Sequence, residues 1–466
     1  MYHTIRYVVK ESHPLHAYFG ELAHLTNNLH NATLFRIRQV LSAVGKDTPT
    51  PNEQEVLNEI KAALPVMNET RAKANAKRRA SGKPESAPFE MPAFGTSFLS
   101  YPFLDALLKA TKNVDYYAPL PRQTAQLVVK EARGDVKNYF AALRAYKMKP
   151  GAFLGQPKIP HYRKSGGMRD IPFTNQDCTL RNGVLKFPGT KDVLNLGRSI
   201  PEQVKVKQVE VKPYYGAFQV CVTYDDMKTK IVIPDTAPKR VIAIDFGVDN
   251  IAAIANNIGE CGLLFKGGII KSANQWFNKR RAQIVSGITS GRPTDFCPSS
   301  KSLDRLSMWR DGVLSTELHT CAKKIVKQCV EWNVDTIVMG VNSGWKQKSN
   351  IGRKNNQSFI GIPHYKLQQY ITYMAEWEGI LVIEQEESYT SKASFLDMDF
   401  IPVYGQPEAT EAKFSGYRKR RGLYKSLNHT RFVNADLNGA GNILRKAFPD
   451  AIDCTQDRFL REIIVM

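Results

Sequence analysis

The sequence predicts a multi-domain α+β protein, and three observations carry that reading. The chain has 466 residues, too many for one ordinary hydrophobic core, so two to four domains are expected. Its texture changes twice, from helical periodicity to short alternating runs near residue 147, and again near 239. The last stretch orders its elements as meander, helix, strand, helix, strand, an α/β layer with one antiparallel edge.

Taken in order, MYHTIRYVVK alternates like a strand, and HPLHAYFGELAHLTNNLHNATLFRIRQVL then spaces apolar residues by three and four, so a helical region over 13–146 follows the strand of 1–12. RAKANAKRRASGKPESAPFEMP reads as an exposed helix end running into a loop. Its Lys77, Arg78 and Arg79 are consecutive and unbalanced by nearby acids, suiting either a solvated surface or phosphate contacts. RQTAQLVVKEARGDVKNYFAALRAY is a core helix that puts Ala125, Val128, Ala132 and Val136 on one face, with Gly134 as its weak point.

From 147 to 238 short runs such as VKVKQVEVKP and GAFQVCVTYD lie between Gly, Pro and Asn, which predicts a β-rich domain. Lys158, Arg163 and Lys164 sit among aromatics there, a mixture able to grip a nucleic-acid backbone. From 239, apolar runs at about 240–245, 250–256 and 262–267 form the meander. A basic helix follows, then a long helix near 303–332, the strand VDTIVMGV, a basic loop, the helix PHYKLQQYITYMAEWEG with Gly379 near its C-cap, and the strand ILVIEQEE.

Bulk charge narrows the function. Lys and Arg number 65 against 44 Asp and Glu, a net charge of +21. Such a surplus favours a polyanionic partner, nucleic acid before membrane. No run of 18 apolar residues appears, and the N-terminus lacks the apolar centre of a signal peptide, so a cytoplasmic, nucleoid-associated protein is expected. Seven scattered cysteines without a CxxC pair argue for reduced thiols and against a zinc ribbon.

Acids are the unexpected feature of so basic a chain. Asp245 closes the strand of AIDFG, where glycine permits a close backbone approach; the plain alternative is an Asp opening a turn. Asp436 stands at the start of a helix in NADLNGAGNILRKAF, a position that also suits capping. In LVIEQEESYTSKASFLD, strand alternation sends Glu384 and Glu386 to one face and Glu387 to the other. Carboxylates from distant segments meeting at strand ends suit Mg²⁺, which takes hard oxygen ligands and leaves room for substrate phosphate.

At AIDFGVDN, EESYTSKASFLD and NADLNGAGNILRKAFP together, with LPRQTAQ, FLGQPKIPHYRK, GWKQ and NNQSFIGIP in support, the chain resembles the TnpB family of transposon-encoded RNA-guided nucleases, relatives of the type V CRISPR effectors. The resemblance covers about residue 119 to the end. It implies an RNase H-like (RuvC) nuclease, split as 239–387 and 431–466, a β-rich wedge domain of 147–238 joined by strand 1–12, and a helical recognition domain of 13–146. It implies a guide RNA that pairs with target DNA beside a short motif read by the protein. By the same resemblance Asp245, Glu387 and Asp436 hold Mg²⁺, with Mn²⁺ a possible substitute. Glu387 is preferred to Glu386 because Gly340 stands where the family usually places its second acid, and some branches carry a displaced glutamate just before the YTSK-like motif.

The insert 388–430 lacks the family's paired cysteines, so no zinc is expected and its own packing must hold it. Its tract Arg418, Lys419, Arg420 and Arg421, with Lys346 of the basic loop, is expected at nucleic acid. Three other readings stay open: a guide-directed repressor that no longer cuts, a compact type V CRISPR effector with the same chemistry, and a guide-independent RNase H-like nuclease.

Overall fold

The computed structural model describes residues 2–93, 99–197, 200–201, 204–227, 238–293, 296, 298–342 and 361–466. The chain clusters into two units, Met1–Lys228 and Thr229–Met466.

In the first unit, β1 (Tyr2–Val9) leads into α1 (Leu15–Ala43), α2 (Pro51–Ala80), α3 (Tyr101–Ala110) and α4 (Arg122–Met148). Thr50 starts α2 with a reciprocal cap: its Oγ1 accepts from the Glu53 amide, and the Glu53 carboxylate accepts from the Thr50 amide. Then come β2 (Ile171–Thr174), β3 (Thr179–Arg181), β4 (Val184–Lys186), β5 (Val193–Asn195), β6 (Lys205–Tyr214) and β7 (Ala217–Asp225). One antiparallel sheet has the order β1-β7-β6-β2, so the first strand of the chain pairs with a strand more than 200 residues later, Tyr2 opposite Asp225. Strands β3, β4 and β5 form a separate small sheet. Val9, Phe19, Phe173, Val209 and Val220 are buried together between the main sheet and α1, while α1 to α4 share a second core around Leu34, Ile60, Leu104 and Val128.

In the second unit β8 (Val241–Asp245), β9 (Asn250–Asn256) and β10 (Gly262–Lys266) form the expected meander. Helices α5 (Gly268–Thr289) and α6 (Lys301–Glu331), strand β11 (Thr336–Val341), α7 (His364–Trp377) and β12 (Leu381–Glu386) follow. Strand β11 pairs parallel with both β8 and β12. A short helix α8 (Glu408–Glu411) and the antiparallel strands β13 (Gly416–Arg420), β14 (Leu423–Ser426) and β15 (Phe432–Asn434) precede α9 (Ala435–Ala447), α10 (Arg458–Arg461) and β16 (Ile463–Val465).

The sheet order is β12-β11-β8-β9-β10-β16. Without β16, three antiparallel strands extended by two parallel ones make the RNase H-like arrangement. Helices cover both faces, which is why VIAID is apolar at every position before its last. Ile242, Ile244, Ile337 and Met339 pack towards α6 and α7; Val241, Ala243 and Val338 pack towards Leu437, Ile443 and Leu444 of α9. By alternation Asp245 therefore lies on the α9 face.

The sequence reading did not anticipate β16 or the three-stranded β13–β15 sheet. A three-residue strand such as IIV has too few positions to show a period.

Candidate active site

Asp245 ends β8 on the face that α9 covers. Gly439 makes that approach possible: a Cβ built there would stand 2.6 Å from Asp245 Oδ2. Among the described residues no hydrogen-bond donor meets this carboxylate. Burial raises its pKa well above the usual range, the negative charges of Glu387 and Asp436 add to the rise, and Arg418 offsets part of it.

Glu387 follows the last residue of β12, and its amide donates to Val341 O at 3.2 Å. Burial raises its carboxyl to about 7, with Glu386 adding to the rise and Lys446 opposing it. Gly340 explains its placement. A Cβ at 340 would lie 2.7 Å from Glu387 Oε2 and 2.5 Å from Ile443 Cδ1, so the glutamate occupies the space a side chain on β11 would need. A side chain at 340 would therefore displace the Glu387 carboxylate or the end of Ile443 from its present position. Gly340→Ala is expected to push Glu387 aside at a cost of about 1–3 kcal/mol, lowering both the melting temperature and nuclease activity; unchanged values for both would remove the steric argument.

Glu386 is engaged elsewhere. Its Oε1 accepts from the Ser388 amide at 2.7 Å and its Oε2 from Lys446 Nζ at 2.6 Å. Lys446, only 7% exposed, also donates to the carbonyls of Ser388 and Pro402, both at 3.1 Å. Burial alone would raise the Glu386 pKa, but these bonds outweigh it and hold the pKa down. Both oxygens being used, Glu386 is a clamp on the strand end. Glu384 is exposed.

Asp436 lies in the first turn of α9, which Asn434 caps by accepting from the amides of Asp436 and Leu437 at 3.0 and 3.1 Å. Its Oδ2 accepts from Asn250 Nδ2 at 2.7 Å, and its Oδ1 from Arg418 Nη2 at 3.3 Å. Among the described residues no three His, Cys, Asp or Glu side chains form a group ready to hold a metal. Asp245 and Glu387 nevertheless fit one: they are half-buried oxygen donors, without hydrogen-bond donors among the described residues, and their pKa values are raised by burial and by neighbouring carboxylates. Asp436 can join them on giving up Arg418.

The basic residues divide. In the insert, Arg418 pairs with Asp436, Arg421 with Asp249, and Lys419 lies over the Phe432 ring at 5.1 Å; Arg420 is exposed. In the first unit Lys77, Arg78 and Arg79 end α2 and are exposed. They are not all unbalanced as the sequence suggested, because the chain turns back and Glu85 pairs with Arg79 at 2.8 Å. Lys158, Arg163 and Lys164 are exposed in an extended segment, where Asn31 pins the backbone of Arg163 at both N and O. Lys346 lies outside the described residues.

Sequence reasoning missed Asn250, Lys446 and Gly439. Gly439 left a signal, being the first of two glycines within the helical stretch NGAGN. The partners of Asn250 and Lys446 stand 186 and 60 residues away, beyond any local pattern.

Two family models match in tandem: the one described as Probable transposase (OrfB_IS605) over 219–346, and the Cas12f1-like TNB domain over 364–443. No curated protein matches. Solved structures similar to the chain include a Cas12f1–sgRNA–target DNA complex, at 16% identity and TM-score 0.32 over 95% of this chain and 98% of that one. An AacC2c1–sgRNA binary complex matches at 8% identity and TM-score 0.42, over 95% and 89%. On the two family models, matched in succession through the segments that carry Asp245 and Asp436, the chain is a TnpB-like relative of the type V effectors.

Proposed function

We propose that this protein is an RNA-guided DNA endonuclease of the TnpB and Cas12 type, cutting phosphodiester bonds with divalent metal, Mg²⁺ by preference, at Asp245, Glu387 and Asp436. The observation that carries the reading is the pair of half-buried carboxylates, Asp245 and Glu387, which meet no hydrogen-bond donor among the described residues, at one end of an RNase H-like sheet beside Asp436. Divalent cations there would supply Lewis-acid charge to the phosphate and ease deprotonation of the attacking water.

The chain's own residues do the rest. Gly439 and Gly340 leave room for the two half-buried carboxylates. Asn250 orients Asp436, and Lys446 clamps the strand end on Glu386, leaving Glu387 to the site. Asp436 would hold the cation together with Asp245 and Glu387, and Arg418, now paired with Asp436 at 3.3 Å, would then be available to a phosphate oxygen. In this reading the basic helical region 13–146 and the β-rich region 147–238 hold guide RNA and the guide–target duplex by shape and charge, leaving sequence to base pairing.

The decisive experiment purifies the protein with its native flanking locus, sequences the retained RNA, and incubates the complex with Mg²⁺ and a plasmid matching that guide beside a randomised motif. Guide-dependent cleavage abolished by Asp245→Ala supports the proposal; cleavage without RNA would replace it with a guide-independent nuclease. The Arg418–Asp436 pair favours one second reading, a guided binder that does not cut. Tight guided binding with no cleavage in Mg²⁺ or Mn²⁺ would establish it.

A further inference from the structure

The first unit contains a cleft of about 360 Å³ that the nuclease reading does not use. It falls within the roughly 300–1,000 Å³ typical of small-molecule sites. Glu131 and Asp135 of α4, Asp170 and Glu210 supply four carboxylates, and Arg163 and Arg169 supply two guanidinium groups. With a net charge of −2, the cleft repels phosphate, although the chain as a whole is strongly basic.

Part of this set is internally satisfied. Glu131 accepts from Arg169 Nη2 at 2.7 Å, Asp135 faces His30 at 3.1 Å, and Glu210 pairs with Lys212 at 2.7 Å. What remains is complementary. Arg169, whose side chain is 9% exposed, has Nε and Nη1 without a partner. Among the described residues, neither the Arg163 guanidinium nor the Asp170 carboxylate makes a hydrogen bond or ion pair. The two Arg169 nitrogens are sealed from solvent, so the donors a ligand in the cleft can reach are those of exposed Arg163, which stand beside the Asp170 acceptor.

Gly134 is the second observation. It sits inside α4, where glycine costs about 1 kcal/mol relative to alanine, yet a Cβ there would meet nothing within 4 Å. Neither helix packing nor backbone conformation requires this glycine; the open space beside it belongs to the cleft that Gly134 lines, and a large side chain there would occupy it.

We propose that this cleft is a pocket for an unpaired guanine of the bound nucleic acid. Guanine presents the O6 and N7 acceptors that arginine reads, and the N2 amino group with the neighbouring N1–H as donors for a carboxylate. Arg163, whose guanidinium can donate to both atoms, serves the first edge and Asp170 the second. Adenine places an amino group where O6 would be and meets the guanidinium donor to donor. A bare divalent cation is opposed by both arginines.

The test uses the full chain and the nucleosides guanosine and adenosine, which carry no phosphate, by calorimetry or ligand-observed NMR. Guanosine should bind at least about tenfold more tightly than adenosine, as expected when a buried polar site is left unpaired by the wrong ligand. Gly134→Leu, which fills the space, and Asp170→Ala, which removes the acceptor, should each weaken guanosine binding about tenfold or more. The second variant keeps the test valid if the first disturbs folding. Equal affinity for the two nucleosides, no binding of either, or guanosine binding unchanged in both variants overturns the proposal.

The source of the base alone rests on the guided-nuclease reading. 6-Thioguanine placed in the RNA or in the DNA, then photocrosslinked, distinguishes guide from target; crosslinks to α4 or 163–170 from either arm support the pocket, and crosslinks only elsewhere overturn it. A protein that binds guanosine but never cuts DNA retains the pocket and loses the nuclease.

Discussion

Glu387→Gln and Glu386→Gln are expected to move activity and stability in opposite directions. Glu387→Gln should lower guided cleavage by about 10³-fold or more, since loss of one metal carboxylate removes several kcal/mol of charge stabilisation. In chelator at pH 8 the same variant should be more stable than the parent. The sign follows from proton binding: a carboxyl held at about 7 in the folded protein and near 4.3 when unfolded binds more protons folded than unfolded between those values. Stability therefore falls as pH rises from about 4 to 7, by at most about 3–4 kcal/mol, and Gln abolishes that fall. Mg²⁺ should restore stability to the parent and much less to the variant.

Glu386→Gln should keep cleavage within a few-fold but lower stability by about 1–3 kcal/mol, because buried Lys446 loses its anionic partner. Denaturant melts with and without Mg²⁺, beside cleavage rates, read both effects. If the two variants exchanged behaviour, Glu386 would be the metal residue and the placement of Glu387 would be wrong.

That distinction shows how far the sequence reached. The meander, α5, α6, β11, α7 and β12 were legible because each is long or strongly patterned, and both faces of their sheet are covered. Alternation also separated Glu386 from Glu387, since one residue of displacement reverses a strand side chain. Why Gly340 and Glu387 belong together was not legible: they are 47 positions apart in the sequence, and the reason is a close contact between neighbouring strand ends. Nor was the docking of YTSKAS on α9, where Asn442 donates to the carbonyls of Thr390 and Ala393, and Asn438 donates to Ala393 O and accepts from the Phe395 amide. A single Asn in a helix pattern reads as neutral until its buried partners are seen.

The insert 388–430, with no paired cysteines to hold it, presents the second large effect. Asp397, fully buried, accepts from Ser426 Oγ at 2.6 Å, His429 Nδ1 at 2.8 Å and Ser415 Oγ at 2.9 Å. Beside it Asp399 accepts from the Ser394 and Ser415 amides at 2.7 and 3.0 Å, and Arg445 of α9 donates to its carbonyl. The two acids thus tie the loop after β12 to β13, β14 and the turn that follows. Burial alone would raise the Asp397 pKa, but the bonds from Ser426, His429, Ser394 and Ser415 outweigh it and hold the pKa at about 2.

Because this folded value lies below the unfolded one near 3.9, the stabilisation is fully present above about pH 4 and is lost as pH falls through 2. It amounts to about 2 kcal/mol. Asp397→Ala leaves buried Ser426 and its neighbours without their acceptor and should cost about 3 kcal/mol. Two units can melt separately, so one melting temperature is a poor gauge; amide exchange over 394–426 is the better one. Protection there should fall at least tenfold in Asp397→Ala while the amides of β8 and β11 keep theirs. Cleavage should fall with it, since β13 carries Arg418, which in the proposed reading pairs with the phosphate. Unchanged exchange over 394–426 would mean that packing around Tyr424, rather than the carboxylate hub, holds the insert.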